Sequence, residues 1–265
     1  MLTKPIPHKL VRNVATGKNL PRLRDASGNR IENQESGTFF IDFTHPEVQD
    51  LTVQRAIAVA ECGLYDGIFL DLWHPRILVD RVGKDIDPNV EVEAKLLLLK
   101  RIREAVGDEF LILINTVRWK APRSAPYVNG SFIETEWDPK IGFYTRERLI
   151  QIEDTLLWSE ENYREPQINC LGGMGIGTEH PDSATNRHWM RVFTTMSLTH
   201  SDGYVLYNSG PDMSHEHYWY DFWNADLGRP VGGDETKAQF YEGIDGLFIR
   251  EYTNGWAVYN RSGTA

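Results

Sequence analysis

Short apolar runs alternate with longer stretches of helical periodicity along most of the chain. Phe39–Phe43 reads as a first strand, followed by a helix over Glu47–Glu61 that stops at Cys62-Gly63. Thr44-His-Pro-Glu47 supplies a Thr cap, a Pro in the first turn and an acid near the helix start. Gly67–Trp73 is the next strand, entered through Asp66-Gly67 and left through His74-Pro75. Its return helix is Val90–Val106, with Ala94, Leu97, Leu98 and Ile102 on one side. Phe110–Asn115, Ser131–Glu134, Gln167–Leu171 and Gly203–Tyr207 complete six strands. Helices over Thr145–Trp158 and Ser183–Leu198 return the chain between the last three. Further on, Gly246–Tyr252 and Trp256–Asn260 form a hairpin about Asn254-Gly255, the turn pair that suits tightly joined antiparallel strands.

Strands alternating with helices call for a parallel sheet with right-handed crossovers. The spacing is roughly 29 residues per unit, the pace of a (β/α)8 barrel whose full set takes about 250 residues. Eight units do not fit, because residues 1–36 carry no second strand-helix unit. The expectation is therefore α/β: a partial (β/α)8 barrel of about six units followed by a C-terminal hairpin, in a chain lacking its first two barrel units. An open, doubly wound six-stranded sheet is the alternative. The corresponding divisions are an N-terminal extension over 1–36, barrel units over 37–212, and an aromatic-rich tail over 213–265.

Polar residues gather at the carboxyl ends of these strands: Asp42, Asp71, Asn115 and Glu134. That is the layout of a barrel or α/β active site. Alternation puts Phe69 and Asp71 on one strand face. An acid ending an apolar strand is costly to bury without a partner or a role. In a barrel, Asp71 and Glu134 lie on strands separated by one other, and both point into the mouth. Two carboxylates across a cleft can hydrolyse a glycosidic bond, one attacking or activating water and the other protonating the leaving oxygen. Glu136, on the same face as Glu134, is the alternative acid. The competing reading pairs these acids with Arg118 and Arg123 in a structural network. Asp42, Asn115, Arg118, Tyr207 and Asn208 are candidates to hydrogen-bond sugar hydroxyls, and Trp73, Trp119 and Trp137 to stack on sugar faces.

Composition narrows the partners. A formal net charge of −10 argues against a nucleic-acid backbone or an anionic membrane surface. No apolar run approaches the roughly 20 residues of a membrane span, and the first residues lack a signal peptide's apolar core. The compartment stays open, since a leader can lie upstream. Cys62 and Cys170 have no metal or redox spacing and read as small core hydrophobes. No cofactor or metal is expected: His215-Glu-His217 diverges on a helix, and His74, His180 and His188 lack ligand spacing. Gly172–Gly177 reads as a flexible mouth loop, with a phosphate cradle as the lesser reading. Asn129-Gly-Ser131 and Asn260-Arg-Ser262 match the glycosylation triplet.

Gly67-Ile-Phe-Leu-Asp71, Ile114-Asn115, Gly130-Ser-Phe-Ile-Glu134 and Gly203-Tyr-Val-Leu-Tyr-Asn208 resemble the successive strand motifs of TIM-barrel glycoside hydrolases, in particular hypothetical glycosyl hydrolase barrels related to the dextranase and α-galactosidase-type enzymes. The tail Leu247–Asn260 resembles the hairpin that follows their barrel. Counting the two absent strands, the resemblance places Asp71 on strand four as nucleophile and Glu134 on strand six as acid/base. It implies hydrolysis of O-glycosidic bonds. A non-catalytic carbohydrate-binding barrel and a phosphosugar isomerase or lyase are the alternatives, and the absence of Lys at the strand ends counts against Schiff-base chemistry.

Overall fold

A computed structural model describes residues 20–25, 27–33, 37–74, 87–137, 142, 144–208 and 218–263, without the side chains of Asn33, Thr38, Pro88, Tyr207 and Asn208. His215 and His217 lie outside the described residues. The fold is mixed α/β, with a five-stranded parallel sheet and small antiparallel pairs. The chain divides into two compact units. One comprises Met1–Ile68 and Trp73–Ile112; the other comprises Phe69–Leu72 and Leu113–Ala265.

In the first unit, β1 (Glu32–Asn33) pairs antiparallel with β2 (Thr38–Phe39). The strand expected over Phe39–Phe43 is thus not a member of the parallel sheet, which has five strands among the described residues rather than six. Local pairing wins here: Phe40 N–H donates to Ile31 O, Leu23 N–H to Phe40 O, and Arg22 bridges Ile41. Helix α1 (Pro46–Cys62) starts one residue later than the expected Thr cap. Thr44 Oγ1 is engaged with Asp42 at 2.5 Å, so His45 Nδ1 accepts the Glu47 N–H instead, at 3.2 Å. Helix α2 (Pro88–Val106) is capped by Asp87 and buries Ala94, Leu98, Leu99 and Ile102; Leu97 faces outward, contrary to expectation. Gln49 Nε2 on α1 donates to Ala94 O on α2 at 3.2 Å. Cys62 is exposed, not a core residue, because it falls in the last turn of α1.

The parallel sheet runs in sequence order: β3 (Gly67–Leu70), β4 (Leu111–Val117), β5 (Gly130–Thr135), β6 (Cys170–Met174) and β7 (Tyr204–Asn208). In the second unit, helix α3 (Arg146–Asn162) is capped by Thr145 and helix α4 (Ala184–His200) by Ser183. Ile133 and Leu171 on the strands join Ile152 and Leu156 of α3 and Met190, Phe193 and Met196 of α4 in one core, all fully buried. Each such side chain contributes about 1.5–3 kcal/mol through burial. The alternate residues of the strands face the other way, toward Phe69, Phe132 and Gly172.

Strand β6 begins and ends later than expected, so Gly172, Gly173 and Met174 are ladder residues and not loop. A Cβ on Gly172 would lie 2.5 Å from Cζ of Phe132, so the absent side chain makes room for that ring. The ring in turn meets Phe69 edge-on, with centroids 5.8 Å apart.

The tail closes on the helices. β8 (Leu247–Tyr252) pairs antiparallel with β9 (Gly255–Asn260), and Phe248 and Tyr259 enter the core of α3 and α4. The two loop residues are Thr253-Asn254 rather than Asn254-Gly255. Segment 227–229 fixes that turn through Thr253 N–H to Arg229 O and Asn254 N–H to Leu227 O. Arg250 Nη1 donates to Leu198 O and Ser201 O, at the negative end of α4. Arg261 Nε and Tyr259 OH both donate to Glu153 Oε1, at 2.6 and 2.7 Å, and Lys237 Nζ meets Glu160 at 2.5 Å. Asn129 is fully buried, which removes it as a glycosylation acceptor in the folded chain. Among the described residues no helix is long and apolar enough to cross a membrane, and no His, Cys, Asp and Glu group could hold a metal ion.

Candidate active site

Three polar side chains in the second unit converge at the ends of successive strands. Asp71 follows β3, which ends at Leu70 and not at Trp73. Leu72 adopts φ 55°, a left-handed conformation that cannot continue a strand. Asn115 lies near the end of β4 and Glu134 near the end of β5. Asn115 Nδ2 donates to Asp71 Oδ1 at 2.8 Å and to Glu134 Oε1 at 2.7 Å. The two acceptor oxygens are therefore no farther apart than those bonds laid end to end, 5.5 Å. The roughly 120° between the N–H bonds of a planar amide brings this near 5 Å. Asp71 is exposed and also accepts the Leu72 N–H at 2.8 Å; Glu134 is half-buried; Asn115 is 3% exposed.

The backbone around this triad is irregular. The ladder of β4 with β5 pairs Asn115 with Phe132 but Val117 with Ile133, which leaves Thr116 as an extra residue. Bulges of this kind re-aim side chains and are common beside active sites. Val117 then sits at φ 58°, where a β-branched residue is a true outlier. Such strain costs about 1–3 kcal/mol per residue and tends to collect at functional sites. The Thr116 hydroxyl is buried without a hydrogen-bond partner.

The end of β5 is clasped to β6 by residues that no motif or spacing singles out. Thr135 Oγ1 donates to Gly172 O at 3.0 Å and accepts the Met174 N–H at 3.2 Å. Tyr144 OH joins Thr135 O and Met174 O. Burial pushes the Tyr144 phenol well above its ordinary range, so it serves as a permanent donor. Thr135 adjoins Glu134, so this clasp fixes the backbone that carries the acid. Alternation marks Thr135 as a core-facing position, but nothing in its spacing points to Tyr144.

The remaining candidates are placed as follows. Glu136 forms an ion pair with Arg118 Nη1, so its carboxylate is already engaged. The Arg118 guanidinium also lies 5.6 Å from the ring centre of Trp119, which is 47% exposed. Trp137 is half-buried and meets Tyr144 edge-on. Trp73 belongs to the first unit and is buried there. Asp42, in the same unit, accepts from the Thr44 N–H and hydroxyl. Tyr207 and Asn208 belong to β7, with side chains outside the described set.

Beyond Met174 the glycine-rich stretch leaves the strand and is tied to α4. Asn186 Oδ1 accepts the Ile176 N–H at 2.7 Å, and its Nδ2 donates to Ile176 O and His180 O. With the Met174 N–H taken by Thr135 as well, two of the donors that a phosphate cradle needs are in use. Cys170 is partly buried, and burial pushes its thiol up to about 12, so it is chemically quiet.

No protein-family model matches the chain, and no curated protein matches it. Among solved structures it is similar to a noncanonic maltogenic alpha-amylase, AmyB, from Thermotoga neapolitana, with a TM-score of 0.43 and 15% identity over 79% of this chain. It is also similar to a chitinase, RmChi1, from Rhizomucor miehei, with a TM-score of 0.37 and 14% identity over 69% of this chain. The chain spans 46% and 61% of those two proteins' lengths. Both TM-scores are under 0.5.

Proposed function

We propose that the protein hydrolyses O-glycosidic bonds with Asp71 as nucleophile and Glu134 as acid/base, on a sheet that forms part of a (β/α) barrel. One observation carries the reading: a single amide, Asn115, holds both carboxylates with their facing oxygens within 5.5 Å. Retaining glycosidases set their carboxyl groups about 5–5.5 Å apart, whereas inverting ones leave about 6.5–9.5 Å for a water. The spacing supports retention. Asp71 attacks the anomeric carbon as Glu134 gives its proton to the departing oxygen, which leaves a glycosyl ester on Asp71. Glu134 then takes a proton from water as that water displaces Asp71, so the stereochemistry is inverted twice. Trp119 is the stacking platform on the loop after β4, and the Arg118–Glu136 pair holds it. The acidic chain suits a neutral carbohydrate.

A panel of aryl glycosides tests the reading. Asp71→Asn and Glu134→Gln each lower hydrolysis by at least about a hundredfold while leaving the fold intact. The first sugar released, followed by proton NMR, carries the substrate's own anomeric configuration. Near-normal rates in either variant would end the assignment, and carbohydrate binding without hydrolysis in the unaltered chain would make this a binding protein.

A further inference from the structure

We propose that Asn115 is a positioning residue, which sets the distance between the two acids, and not a contact for sugar hydroxyls; its catalytic meaning rests on the glycosidase reading above. Among uncharged side chains, only a primary amide offers two N–H bonds from one atom, and Asn115 directs its nitrogen at Asp71 Oδ1 and Glu134 Oε1. Its oxygen accepts the Val117 N–H at 2.9 Å. These three bonds fix which way round the amide sits. Turning it over would aim its oxygen at two carboxylates and its nitrogen at an N–H.

The backbone explains how Val117 comes to face its own strand. Thr116 is the extra residue of the bulge, and Val117 turns into the left-handed region directly after it. The Val117 N–H, on the far side of the extra residue, meets Asn115 Oδ1 two positions back. The side chain is buried, with both ends of its amide committed inside the protein. A Lys or Arg at this place would neutralise one acid and lock it. A neutral amide leaves both acids chemically competent and follows the charge between them. When Asp71 becomes an ester it loses its negative charge, and its bond to Asn115 weakens. The bond to Glu134 strengthens as that group ionises.

The test uses the full chain with Asn115→Ala and the near-isosteric Asn115→Asp. Misplaced acids cost turnover, so kcat falls about a hundredfold in both while KM stays within about threefold. Asn115→Asp regains activity as pH falls, because a protonated carboxyl restores one donor. Independently of activity, NMR of 15N-labelled protein follows the two side-chain amide protons of Asn115. One shifts in Asp71→Asn and the other in Glu134→Gln. Amide protons indifferent to both substitutions overturn the proposal, as does a large rise in KM with kcat and pH profile unchanged. Amide protons that respond in a chain hydrolysing no glycoside sustain the positioning geometry and sink the glycosidase reading alone.

Discussion

Two regions of the second unit gather charge in opposite ways. Behind the helices, Glu153 is 4% exposed and receives Arg261 and Tyr259, while Glu160 receives Lys237. Opposite charges meet there and are sealed by hydrogen bonds. Burial, and then the adjacent Glu153 carboxylate, push the Tyr259 phenol far up, so it donates at every ordinary pH. Burial works against the Lys237 ammonium, but bonds to Glu160 and its carboxylate neighbours outweigh it and raise its pKa. At the ends of β3–β5, by contrast, two carboxyl groups face one another across a neutral amide, on a bulged and left-handed backbone. The first arrangement is closed by counter-ions, whereas in the second two acids share one neutral donor and Asp71 stays open to solvent.

The contrast is sharpest if the two regions fail differently. On the proposed function, Asp71→Asn abolishes hydrolysis yet leaves thermal stability nearly unchanged, since Asp71 is exposed and the amide oxygen can still accept from Asn115. Calorimetry alongside the aryl glycoside assay reads both, and a large loss of stability would break the distinction. Glu153→Ala does the reverse to the fold: it removes the shared acceptor of Tyr259 and Arg261, leaves Arg261 with Asp245 alone, and costs about 1–3 kcal/mol in denaturant unfolding. A cost below about 1 kcal/mol would show the brace to be ornamental.

His200 offers a subtler probe. It is fully buried in α4, its Nδ1 bonded to Met196 O and Thr199 Oγ1, its ring against Phe248, and its Nε2 without a partner. Burial pushes its pKa down to about 3. The unfolded chain, with an ordinary value near 6.5, therefore takes up the proton first. Stability is complete above that value and is lost as pH falls toward 3. The slope is about 1.4 kcal/mol per pH unit, or about 2 kcal/mol between pH 6.5 and 5. Replacing His200 by Phe removes this dependence, which urea midpoints at the two pH values measure. The smallest effect is expected at Thr116→Val, which removes a buried hydroxyl that bonds to nothing. Stability changes by no more than about 1 kcal/mol, upward if at all, and activity is kept.

Alternation alone identified the faces of Asp71 and Glu134, because period two is a local property of any strand. Helix positions were equally legible through Gly63, Gly107, Thr145 and Ser183 at their ends. What the sequence hid depends on pairing. Phe39–Phe43 has the composition of a core strand, and only the competing partners Leu23 and Ile31 draw it into a separate hairpin. Asn115 looks like a sugar-binding amide until the bulge at Thr116 shows where its oxygen is used. Gly172 looks like a loop residue until the Phe132 ring is seen to occupy the space above it.

That last arrangement binds two positions into a single decision. A methyl at Gly172 collides with an aromatic carbon, and a smaller residue at Phe132 opens a hole beneath the acid two places along the same strand. Neither site can drift alone. Over evolutionary time, or in a mutagenesis library, substitutions here should survive only as matched pairs, so β5 and β6 would read as one word spelled across both.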